Sequence, residues 1–150
     1  MSLDQRSAAR LAVVQALYQM EVSGKGLNEI FAEYEAHWLG REIEGAQYKP
    51  AEVGFFEDIL QGVLTDQVAI DQQIDHVLAG GWPLARIESV MRATLRAGAY
   101  EMRARKDVPS RVVITEYVDV AGAFFGPNES GMVNAVLDRI AREERKQELS

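Results

Sequence analysis

The chain has 150 residues, of which 47% are apolar and 26% charged, and it carries a net charge of −7. That length suits one domain with a sizeable buried core, and the composition is that of an ordinary globular protein. Cysteine is absent, which excludes a disulfide scaffold, a thiolate zinc site and a cysteine nucleophile, and suits a reducing compartment.

No apolar run approaches the roughly 20 residues that span a bilayer. The opening segment MSLDQR has no apolar core of a signal peptide, so a cytoplasmic protein is expected. The net charge argues against indiscriminate coating of nucleic acid, but an average can hide a patch. Residues 1–22 are neutral, with two charges of each sign. Residues 23–83 hold three basic and eleven acidic groups, a net of −8. Residues 84–111 hold seven and three, a net of +4, from Arg86, Arg92, Arg96, Arg103, Arg105, Lys106 and Arg111. The remainder holds four and seven, a net of −3.

Strand-like alternation is scarce and the helical period recurs. Residues 4–22 read as a first helix with Val13, Leu17 and Met20 on one face. Ser23 to Gly26 ends it, because closely spaced glycines stop a helix. A second helix is expected over 27–40, then a loop from Gly40 to Pro50. Phe56, Ile59, Leu60, Val63 and Leu64 follow the amphipathic template, and Ile70, Ile74, Val77 and Leu78 repeat it after a break near Thr65-Asp66. Gly80 to Pro83 is a stop. Leu84, Ile87, Met91, Leu95, Gly98 and Met102 form the next face, ended by Asp107 to Pro109. Pro109 suits the start of a helix carrying Ile114, Tyr117, Val118 and Ala121. A loop over Phe124 to Glu129 precedes the last helix, with Val133, Val136, Leu137 and Ile140, which frays from Arg142 to Glu148. An all-α fold of about seven helices in one domain, residues 1–150, follows, and the short loops make neighbours antiparallel.

Catalytic chemistry is not visible. His37 and His76 have no second ligand at helical spacing, so both read as ordinary surface histidines. Asp71 and Asp75 share a helix face and read as a solvated acidic surface rather than a cation site. No serine nucleophile motif and no phosphate-binding glycine loop is present. Arg92, Arg96 and Arg103 fall near one stripe, where they can hold phosphates or pair with the chain's own acidic middle; the internal role is favoured. Arg6 and Arg10, one helical turn apart, sit near helix amides that favour anions.

Three segments taken together are more specific. They are RSAARLAVVQALY over 6–18, VMRATLRAGAYEM over 90–102 with RKDVP over 105–109, and VITEYVDVA over 113–121 with VNAVLD over 133–138. In this order they resemble the NusB family of bacterial transcription antitermination factors, from about residue 6 to 142. The resemblance implies an all-α fold in two small helical bundles, and no catalysis, metal or cofactor. It implies pairing with NusE, a protein of the small ribosomal subunit, and binding to the boxA element of ribosomal RNA leader transcripts. With other Nus factors, the pair keeps RNA polymerase reading through terminators. Carried over residue by residue, it points to Arg6, Arg10, Gln15 and Asn134 for RNA, and to Tyr18, Met91 and Arg92 for the partner.

The pattern also departs from the family. Ser7 and Ala8 stand where basic residues are common, Met91 where an acidic residue is common, and Gly131-Met132 where a lysine precedes the Val-Asn pair. Those departures, with the acidic balance, keep open an alternative: a NusB-fold protein–protein adaptor with little RNA affinity. A NusB-like domain also precedes the catalytic domain of some ribosomal RNA methyltransferases, and these 150 residues contain no cofactor-binding segment. A homodimer is a further possibility that the resemblance raises.

Overall fold

A computed structural model describes the backbone of residues 2–43, 50–78, 81 and 83–145, and the side chains of 6–35, 53–78, 81 and 83–145. His37 and the two tryptophans therefore lie outside the described side chains, as does most of the expected loop from Gly40 to Pro50. Among the described residues there are seven α-helices and no strand. They are α1 (Ser2–Ser23), α2 (Leu27–Ile43), α3 (Pro50–Thr65), α4 (Gln67–Val77), α5 (Ser89–Ala104), α6 (Ser110–Phe124) and α7 (Pro127–Glu144). No described helix is long and apolar enough to cross a membrane.

Helix α5 is the axis of the molecule. It packs against α1, α3, α4, α6 and α7, while α6 and α7 form the most extensive helix pair. Five helices thus share α5 as a neighbour. The sharing explains its composition, because Met91, Leu95, Ala97, Gly98, Ala99, Tyr100 and Met102 are all buried. A helix covered on most sides needs small residues where backbones approach. Gly62 of α3 lies under the Tyr100 ring, where an added Cβ would come within 2.1 Å of the ring. Gly98 similarly faces Leu137 of α7 at 2.8 Å.

Helix ends follow local chemistry. Gly24, at φ +75°, closes α1 by donating its N–H to the Met20 carbonyl at 2.9 Å. Pro127 opens α7, and Glu129 reaches back to accept from the Gly126 N–H at 3.1 Å. That helix therefore begins inside the segment from Phe124 to Glu129 that the sequence assigns to a loop. A second difference is at Leu84 and Ile87, which the periodicity places on the α5 face. Leu84–Arg86 is instead a separate 3-10 turn, and α5 starts only at Ser89. Glu88 is its N-cap, accepting from the Val90 and Met91 N–H groups at 2.8 and 3.2 Å. Leu84 and Ile87 are still buried, so the periodicity identified the core positions but not the backbone between them.

The acidic middle and the basic stretch meet through packing. Asp71 of α4 accepts a two-pronged contact from Arg96 of α5, at 2.8 and 2.9 Å. Asp75 accepts from the Leu84 N–H at 2.7 Å, capping the 3-10 turn. Arg103 donates to Gln73 at 2.9 Å. The carboxylates of α4 are thus occupied by the chain itself.

The turn between α5 and α6 has an unusual anchor. Arg145, just beyond α7, is buried, and its guanidinium donates to the carbonyls of Glu101, Met102, Arg105 and Val108. Glu101 and Met102 belong to the last turn of α5, where carbonyls run out of intrahelical donors.

Candidate nucleic-acid interface

The arginines of α1 have opposite fates. Arg10 is 1% exposed. Its Nε and Nη2 donate to the two oxygens of Glu101, at 2.9 and 2.7 Å, and its Nη1 donates to Glu116 at 2.8 Å. Tyr117 donates its hydroxyl to Glu101 at 2.9 Å, and Ser7 donates to Glu116. The network ties α1 to α5 and α6. Burial opposes the Arg10 charge, but the bonds and field of Glu101 outweigh it and raise its pKa further. Burial, reinforced by the negative Glu101, pushes the Tyr117 phenol well above its usual range. The RNA role expected of Arg10 is therefore not available to it in this arrangement. Its donors are spent on carboxylates, and α1 begins at Ser2, so Arg10 lies well past the unpaired amides of the first turn.

Arg6 is different. Its side chain is 36% exposed and stands 4.0 Å from Asp107 of the α5–α6 turn. Its guanidinium lies 4.6 Å from the centre of the Phe55 ring. Arg105 and Arg10 approach the same ring, each at 5.0 Å. Arg105 forks onto Asp107 with two 3.1 Å bonds and also donates to Asp58 at 3.2 Å. Its pKa is raised, chiefly by the bond to Asp107, while Asp107 is lowered, chiefly by Arg105.

Gln15 is exposed on α1 and Asn134 is exposed on α7. Helix α7 packs chiefly on α4, α5 and α6, so the structure does not gather Asn134 with the α1 residues. Tyr18 is 39% exposed, with Val22 at 62% one turn further on. Arg92 joins that region by bonding Glu21 of α1, while its other donors hold the carbonyls of Ile87 and Ala85. Met91 is 3% exposed. The partner contact expected there is not presented at the surface, because an apolar side chain at that position joins the core. A cavity of about 300 Å³ is lined by Leu17, Met20 and Glu21 of α1, Leu64 of α3, and Ala93 and Arg96 of α5, among others.

Phe55, Asp107, Glu101 and Arg145 did not emerge from the sequence as site residues. Glu101 carried a signal: it falls on the apolar stripe of α5, three residues after Gly98, where a lone carboxylate calls for a buried cation. Phe55 and Arg145 are brought into place only by tertiary packing.

Comparison with known proteins adds the lineage. Residues 7–142 match the NusB family. A transcription antitermination protein NusB of Rhodopseudomonas palustris strain BisB18 is 63% identical over 147 residues, covering 98% of this chain and 87% of that protein. The solved T. maritima NusB superposes with a TM-score of 0.81 at 30% identity, covering 96% of each chain. A structure of antitermination factors NusB and NusE in complex with dsRNA shares the fold, with a TM-score of 0.76 at 22% identity over 93% of this chain and 98% of that one. A match over nearly the whole length, by sequence and by fold, leaves one conclusion: the chain belongs to the NusB family.

Proposed function

We propose that the chain is a transcription antitermination factor that pairs with NusE and binds the boxA element of ribosomal RNA leader transcripts. It acts by binding rather than by catalysis, in the cytoplasm, within a larger assembly of Nus factors and RNA polymerase. The observation that carries this reading is the family match over residues 7–142, with a relative at 63% identity named for antitermination. The solved complex of NusB and NusE with dsRNA supports a protein–RNA assembly of that kind.

At the level of residues, Arg6, Gln15 and Asn134 are the RNA-facing groups, and Tyr18 with Arg92 marks the partner side. Arg10 and Met91 support these faces from within. Arg6→Ala is expected to weaken boxA binding by about tenfold or less and to flatten its salt dependence by one phosphate contact, roughly 0.7 in log–log slope for single-stranded RNA. Fluorescence anisotropy over a salt series, with and without NusE, measures both. Unchanged affinity removes Arg6 from the interface. RNA binding in neither condition favours the adaptor reading, for which the net charge of −7 and Gly131 in place of a lysine speak.

A further inference from the structure

The Arg6, Arg105 and Phe55 constellation has a built-in anion. Two guanidinium groups rest on one buried aromatic ring, which holds them without consuming their hydrogen-bond donors. The charge of the third, Arg10, is spent in the interior on Glu101 and Glu116. Arg6 and Arg105 converge on Asp107, whose two oxygens fill the Arg105 fork at 3.1 Å each and face Arg6 at 4.0 Å. A guanidinium fork meets the two unesterified oxygens of a phosphodiester in the same way that it meets a carboxylate.

We propose that Asp107 is an internal stand-in for an RNA phosphate, occupying the Arg105–Arg6 site in the free chain and yielding it when RNA binds. The inference rests on the RNA-binding reading above and adds Arg105 to its contacts. Asp107 is fitted to leave, because its side chain is 56% exposed on the turn between α5 and α6, and exposed ion pairs are weakly held. The arginines are fitted to stay. Phe55 backs both, and Asp58 retains Arg105 at 3.2 Å once Asp107 has gone. The turn itself is pinned from below by Arg145. The carboxylate keeps this patch near neutrality until a well-placed phosphate competes for it, so a loosely apposed polyanion gains little.

Asp107→Asn keeps the size of the side chain and removes its charge. Anisotropy titrations of the full chain against a fluorescent single-stranded boxA RNA, with NusE present, are expected to show binding about 3- to 10-fold tighter than the parent. The log–log salt dependence is expected to steepen by up to roughly 0.7. Adding Arg105→Gln to the same variant is expected to abolish that gain. Glu29→Gln removes the same charge from the exposed first turn of α2, beyond the far end of α1 from Arg6, and is expected to leave affinity unchanged. Unaltered affinity and slope in Asp107→Asn overturn the proposal, as does an equal gain in Glu29→Gln, which assigns the effect to overall charge. A parent chain that binds RNA while Asp107→Asn changes nothing overturns this inference alone. RNA binding by neither form overturns the RNA reading and this proposal with it.

Discussion

Arg6 and Arg10 occupy successive turns of α1, yet one is a surface cation and the other a buried strut. Removing one member of a buried charge pair strands the other, at a cost of about 3–5 kcal/mol. Arg10→Met is therefore expected to lower the urea midpoint severely, by leaving Glu101 charged and unpaired. Arg10→Met with Glu101→Gln is expected to recover a large part of the loss, because the amide is neutral and its oxygen still accepts from Tyr117. Equal destabilisation by the single and double variants would sink this account. The distinction between the two arginines was partly legible in the sequence. Arg10 stands three residues before Val13 and seven before Leu17, both buried, so helical spacing alone places it on the core face. Arg6 falls at the end of that stripe, where the core gives out. What the sequence could not supply was the partner, since Glu101 and Glu116 lie 91 and 106 residues away along the chain.

At the scale of elements, the helices owe their spacing to a few small residues. An alanine at position 62 would drive its Cβ into the Tyr100 ring, whose hydroxyl is held by Asp58 at 3.2 Å. Overpacking of that kind costs about 1–3 kcal/mol, and the gain in helix propensity from glycine to alanine returns at most about 1. Gly62→Ala is thus expected to destabilise by about 1–2 kcal/mol, read from chemical denaturation. A stabilised variant would show that the ring moves freely. Periodicity located all seven described helices, because apolar positions at helical spacing are buried against neighbours, but it misplaced two of their starts. It merged the Leu84–Arg86 turn with α5, since alternation of buried and exposed positions continues through both. It missed the first turn of α7, where Pro127, Asn128 and Glu129 carry no apolar signal and capping chemistry decides.

At the scale of the whole molecule, the buried network makes one titration a property of three helices. Tyr117 has its pKa raised by burial and by Glu101. The folded state favours its neutral phenol, so this contribution is complete below the ordinary tyrosine value of about 10 and is lost as pH rises towards the folded value. Tyr34 and Tyr100 are also raised, first by burial. Stability is expected to hold to about pH 9 and to fall above about 10. Phenolate absorbance should rise in two steps, the later one coinciding with loss of helical circular dichroism. A single early step that leaves the helices intact would contradict the enclosure of Tyr117. The net charge of −7 also acts globally. Its repulsion of RNA is largely screened beyond about 8 Å at physiological ionic strength, so association depends on local geometry rather than long-range steering.

The Arg145 anchor couples this geometry to the order of synthesis. The guanidinium that caps the end of α5 and holds the α5–α6 turn arrives about forty residues after the carbonyls it satisfies. While a ribosome is still making α7, Arg105 and Asp107 therefore sit on a turn without its final donors. A nascent chain halted before Arg145 would display the arginines without the frame that aims them. The surface that Arg105 and Asp107 share is thus complete only after Arg145 has been added.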